Sequence, residues 1–284
     1  MKPMRFRSSR SRFIEHLLSA AIAAIFGFGA LLTASAQQVA PTPYVLASGD
    51  AKAKVALQKT IEALGGDAYL HVVDMSQKGR SYGFHHGESV GAGAPYWRFT
   101  RFPDKDRIEF TPQRDVITVH NGDKGYDISY KGTAPEEPKL LADFLRRREH
   151  SLDTVLRQWI AQPTTTLLYA GSAIAEQKPA EVVTVLGPNH DSVTLYLDPR
   201  SHLPIKKSYT WRDTTDGLKD TEDEVYDAYK LVSGIMTPHN VTRFYNGDIA
   251  SQRFIAEAKY NQSLPDSMFD AHTTYDPLAP RNQH

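Results

Sequence analysis

The chain has 284 residues, 33 Lys and Arg against 33 Asp and Glu, and no cysteine. A disulfide framework, thiolate metal sites and thiol catalysis are excluded by the missing cysteine. The balanced charge gives no electrostatic case for nucleic acid or an anionic membrane surface as partner.

The first 36 residues read as a targeting segment. Lys2, Arg5, Arg7, Arg10 and Arg12 form a basic start, an apolar run follows from Leu17 to Leu32, and Ala34 and Ala36 close it in an A-x-A arrangement. That is the pattern of a secretory signal peptide cleaved after Ala36. The apolar run is shorter than the roughly 20 residues of a spanning helix, so no transmembrane anchor is expected after processing. Export to the periplasm is the expectation, and loss of the basic start leaves a mildly acidic mature chain. Residues 37–49 read as a flexible arm, and residues 50–284 as one domain.

Asp50 is placed to cap a helix in which Leu57, Ile61 and Leu64 recur at helical spacing, and Gly65–Gly66 stop it. The period then changes to two. Strands are predicted over Val72–Tyr82, Tyr96–Arg101, Arg107–Phe110, Val116–His120 and Gly125–Tyr130, separated by "FPDKD", "TPQRD" and the hairpin signal "NGDK". Leu141, Leu145, Leu152, Val155, Leu156 and Trp159 fall at spacings of three, four and seven and predict one helix from Pro138 to Ile160. Its "RRRE" reads as a solvated face. Beyond Pro163 strands return: "TTLLYAGSAI", "EVVTVLG", "SVTLYL", "PIKKSYTW", "EDEVYDAYKLV", "PHNVTRFY" and "IASQRFIAEAKYN". In the last of these, Phe254, Ala256, Ala258 and Tyr260 alternate with Arg253, Glu257 and Lys259, which predicts one apolar and one wet face.

No catalytic, metal or cofactor site emerges from spacing. Asp198, Arg200 and His202 in "LYLDPRSHLPIKK" are explained by turn chemistry, with Pro204 opening the next strand. His85 and His86 are adjacent on a strand, and side chains of neighbouring strand residues point to opposite faces. G-x-S-x-G, S-x-x-K and P-loop motifs are absent.

The order of the pieces resembles the LolA/LolB-like superfamily, which includes periplasmic lipoprotein carriers, outer-membrane lipoprotein-sorting proteins and sigma-regulatory relatives. A helix ending in "ALGG" is followed by "WRFTRFPDKDRIEF", "VHNGDKGYDISYKG", "VTLYLDPRSHLPIKKSY", "VYDAYKLVSGIMTPHNVTRF" and a closing "AKYNQSLPDSMFD". The resemblance implies an α+β fold, a curved antiparallel sheet forming an unclosed β-barrel with helices over its concave face. It implies a binding or carrier protein whose ligand is a lipid or lipoprotein acyl chain, not an enzyme. A docking role toward an envelope protein partner is the alternative. In the carriers an arginine before the proline of the strand–proline step gates the cavity through backbone hydrogen bonds, and Arg101 is the nearest match. The expected lining is Phe99, Arg101, Ile108, Phe110, Leu145, Leu152, Trp159, Leu195 and Phe254, around a cavity on the order of 300–1,000 Å³.

Overall fold

A computed structural model describes residues 48–213 and 216–271. The segment read as a signal peptide, most of the stretch read as an arm, and the last residues lie outside them. Fifteen strands form one sheet among the described residues. In chain order they are β1 (Ser48–Gly49), β2 (Asp74–His85), β3 (Glu88–Ser89), β4 (Ala94–Arg101), β5 (Lys105–Phe110), β6 (Val116–Asn121), β7 (Lys124–Ser129) and β8 (Gly132–Pro135). The second set is β9 (Thr166–Ala175), β10 (Lys178–Leu186), β11 (Ser192–Leu197), β12 (Pro204–Arg212), β13 (Lys219–Val232), β14 (Ile235–Tyr245) and β15 (Asp248–Tyr260).

Each set is a ladder of antiparallel hairpins, and the two ladders meet where β15 pairs with β2. The outer edges, β8 on one side and the short β1 on the other, do not pair with each other, so the barrel is open. Ser48 and Gly49 run parallel to β9, so the segment read as a loose arm ends in a strand.

Among the described residues four α-helices accompany the sheet: α1 (Ala51–Leu64), α2 (Asp67–Leu70), α3 (Pro138–Glu149) and α4 (Leu152–Arg157). The carboxylate of Asp50 accepts from Lys52 N and starts α1. At its end Gly65 takes φ 132°, and a Cβ there would stand 2.5 Å from Gly234 O. Ala53, Ala56, Leu57, Ile61 and Leu64 form the stripe that α1 buries in the main core.

The helix predicted over Pro138–Ile160 is three pieces. Ser151 adopts extended backbone, and its hydroxyl accepts from Thr154 N, so it caps a new helix instead of continuing the old one. A 3-10 turn, Trp159–Ala161, follows α4. The sequence spacing of Leu145 and Leu152 survives this break, which is why periodicity did not reveal it. The whole segment carries the chain from the β8 edge to the β9 edge and must therefore cross a face of the sheet.

Candidate functional site

The face that α1, α4 and the 3-10 turn cover is apolar. Ile108, Phe110, Leu152, Trp159 and Leu195 are all buried in the same core cluster as α1. Leu152 is 4 % and Trp159 1 % exposed, and the indole is packed flush: a Cβ on Gly187 would stand 2.2 Å from the Trp159 ring. Trp159 Nε1 donates to the Glu149 carboxylate at 3.1 Å.

One cleft remains between this cover and strands β2, β14 and β15. Leu64, Tyr69, Met75, Phe102, Leu152, Ile235, Val241 and Ile255 make its apolar wall; Asp153 and Arg157 form a polar end, and Gln77 and Tyr229 add polar lining. The cavity measures about 40 Å³. That is far below the acyl-sized volume expected from the sequence, and of the nine expected lining residues only Leu152 reaches it.

Three of the nine sit on the other face of the sheet. In "YWRFTR", Tyr96, Arg98 and Thr100 point inward, while Phe99 and Arg101 point outward. Phe99 packs with Val119, Ile128, Leu264 and Phe269, because the C-terminal segment lies over the outer face there. Arg101 pairs with Asp266 at 2.9 Å, on that outer side, and does not gate the interior. Phe254 is 44 % exposed and makes an edge contact with Tyr82. A β-bulge between Ile255 and Glu257 shifts the alternation by one residue, so Arg253 turns inward and Phe254 outward. Leu145 on α3 is half-buried and outside the core cluster.

The remainder of the inner face, under α3, is ionic. Arg98 and Asp106 pair at 2.8 Å, Lys207 and Glu224 at 2.9 Å, and Arg243 and Glu222 at 3.1 Å, all buried. The "RRRE" of α3 joins this layer and is no solvated face. Arg147 is buried, Arg146 lies 4.0 Å over the Trp211 ring, and Arg148 Nη1 donates to Gly122 O and Asp104 O at 2.7 and 3.3 Å. Arg148 is therefore the arginine that ties helix to loop carbonyls, the part expected of Arg101.

A buried pair anchors the entry to α3. His120 Nε2 and Glu136 Oε2 lie 2.8 Å apart, with Phe144 stacked on the imidazole at 3.5 Å. Gly125 is required beside them, since a Cβ there would stand 2.3 Å from Glu136 Oε2. Burial pushes His120 down to about 3 and Glu136 up to about 7. The raised carboxyl contributes stability that is full below its ordinary 4.5 and lost as pH rises through 7. The depressed imidazole contributes stability that is full above its ordinary 6.5 and lost as pH falls toward 3. Between 4.5 and 6.5 the two slopes cancel, because folded and unfolded chains hold the same single proton on this pair. Glu136→Gln leaves only the imidazole. The variant should gain about 1–2 kcal/mol, relative to the unsubstituted protein, between pH 4.5 and 6.5. Urea denaturation of both proteins at the two pH values checks this; parallel pH curves would refute it.

Two smaller readings are settled by geometry. Asp198 Oδ1 accepts from Arg200 N and Ser201 N, each at 2.8 Å, so the loop of Asp198, Arg200 and His202 is an Asx turn. These bonds hold its carboxyl below the usual range. His85 and His86 do not diverge: His86 sits in the turn at φ 50°, and the rings approach to 4.1 Å.

No protein family and no curated protein matches this sequence. Solved structures do. A DUF1329 family protein from Desulfovibrio piger superposes with a TM-score of 0.54 at 12% identity, over 77% of this chain and 97% of that one. A domain described as an outer membrane lipoprotein-sorting protein, from Vibrio parahaemolyticus, gives 0.51 at 10% identity, over 77% and 97%. A LolA superfamily protein from Nitrosomonas europaea gives 0.47 at 13% identity over the same shares. With its open antiparallel sheet and its helices over one face, the chain shares the fold of the Desulfovibrio piger and Vibrio parahaemolyticus proteins.

Proposed function

We propose that the protein is an exported binding or carrier protein for an apolar ligand, a lipid or lipoprotein acyl chain, held between the inner face of the sheet and the helical cover. The cleft against Met75, Ile235, Val241 and Ile255 carries this reading, since an apolar wall under the cover is not fully packed there. At about 40 Å³ it does not hold a chain in the closed form, so binding requires the cover to lift. Each methylene buried from the ligand contributes roughly 0.8 kcal/mol, so exposing Leu152, Val155 and Leu156, at roughly 1.5–3 kcal/mol each, is offset by about six to eleven carbons.

Protein purified from the exported fraction should release an acyl-bearing molecule on solvent extraction, read by mass spectrometry. Leu152→Trp, which fills the cleft, should lower that yield several-fold at unchanged fold. An empty extract, together with no binding of a fluorescent acyl probe, would remove the carrier reading. The docking alternative is favoured by one observation, an outer groove of about 440 Å³ lined by Tyr82, Trp97 and the exposed Phe254. Under it, Phe254→Ser would abolish capture of an envelope protein while Leu152→Trp has no effect.

A further inference from the structure

The polar end of the cleft carries more hydrogen-bonding capacity than the protein uses. Arg157 Nη2 pairs with Asp153 Oδ1 at 3.0 Å, but Nε and Nη1 of the same guanidinium are buried with no partner. The guanidinium lies over the Tyr69 ring at 4.4 Å and the Phe102 ring at 5.0 Å, which fixes its plane. The Tyr69 hydroxyl stands beside both Asp153 and Arg157 and interacts with each. Gln77 Oε1 is buried and unpartnered. All four residues line the same cleft. A buried polar group without a partner is costly, so two such side chains at one cavity, Arg157 and Gln77, mark a place built for a polar occupant. A volume of about 40 Å³ is room for about three or four waters, or for one small head group, at roughly 10–15 Å³ per water.

Charge decides the class of occupant. Asp153 and Arg157 are the only charged residues of the lining, and they already neutralise each other. A carboxylate or phosphate placed there would gain Arg157 but face Asp153. We propose that this end takes the carbonyl of an uncharged acyl head, an ester or an amide, through the free N–H groups of Arg157 and the Tyr69 hydroxyl. Gln77 Oε1 accepts an N–H or hydroxyl on the same head. The inference rests on the cleft being the ligand site, and it adds which end of the ligand lies where: the head at Arg157, the chain along Met75, Ile235 and Ile255.

The test compares probes of one chain length, methyl octanoate, octanamide, octanoate and octane, by calorimetry on the purified protein at pH 7. Ester and amide should bind, the amide at least as tightly, and octanoate at least tenfold more weakly. Tyr69→Phe keeps the ring under Arg157 and should weaken ester and amide threefold to tenfold, the worth of one buried hydrogen bond, while leaving octane unchanged. Arg157→Met risks the fold because it strands Asp153, so Arg157→Met/Asp153→Leu is the companion variant and should bind all four probes alike. Equal binding of all four probes to the unsubstituted protein would mean the polar end holds water only; that overturns the head-group assignment and leaves the carrier reading standing. Tighter binding of octanoate overturns the assignment too. Binding of none of the probes removes both.

Discussion

Lys207→Met should destabilise the protein by about 3–5 kcal/mol, the cost of leaving a buried charge without its partner. The ammonium sits 2.9 Å from Glu224, with both side chains at most 2 % exposed, and the Tyr226 hydroxyl donates to the same carboxylate at 2.9 Å. Burial drives the Glu224 carboxyl up, but Lys207 and Arg253 outweigh it and hold the group below its usual 4.5. The contribution of a depressed carboxyl is present above 4.5 and lost as pH falls through the folded value. The substitution should therefore also flatten the acid limb of the stability profile. Adding Glu224→Leu should recover part of the loss, because an apolar pair replaces the ionic one, although Arg253 then loses a counter-charge. Urea denaturation of the two single variants and the double variant at pH 7 and pH 4 measures all of this. A single-variant loss under about 0.5 kcal/mol would show that water reaches the ionic layer.

Trp159→Ala is the second large effect expected, about 3–5 kcal/mol, as for other fully buried aromatics. Its ring fills the space that Gly187 leaves open, so the truncation creates a void next to the cover. Two readouts follow. Stability falls, and an acyl probe should bind more readily, because the interior gains volume without the cover having to lift. Gly187→Ala approaches the same contact from the other side and should cost about 1–3 kcal/mol by overpacking. If Trp159→Ala binds the probe no better, the route into the cleft does not pass under this turn.

The strands were readable because alternation and turn residues agree; "SVTLYL" is β11 with the same bounds. What could not be read was the phase. In "WRFTRF" both faces carry aromatics, since Leu264, Met268 and Phe269 return over the outer one, and pattern alone then favours the wrong side. The bulge after Ile255 reversed the phase of β15 in the same way, and no residue type announces it. Burial of "RRRE" was hidden because its counter-charges, Glu222 among them, come from strands far along the chain. Of the cleft, Leu152 was found by its helical spacing. Asp153 and Arg157, four apart on one helix, were a signal available and not used; Tyr69 and Gln77 join them only through the fold.

The seam between β15 and β2 has a consequence for how the chain is assembled. Every other antiparallel ladder is closed by a neighbour in sequence, but this one joins residues from opposite ends: the Asp74 carboxylate accepts from Leu264 N across 190 positions. The two hairpin meanders can each form locally, whereas their union must wait for nearly the whole chain and is entropically the most expensive contact to close. Until then β2 and β15 are bare edges, open to pairing with any other strand. In a chain made amino end first, the first meander carries an unprotected edge until the last strand arrives.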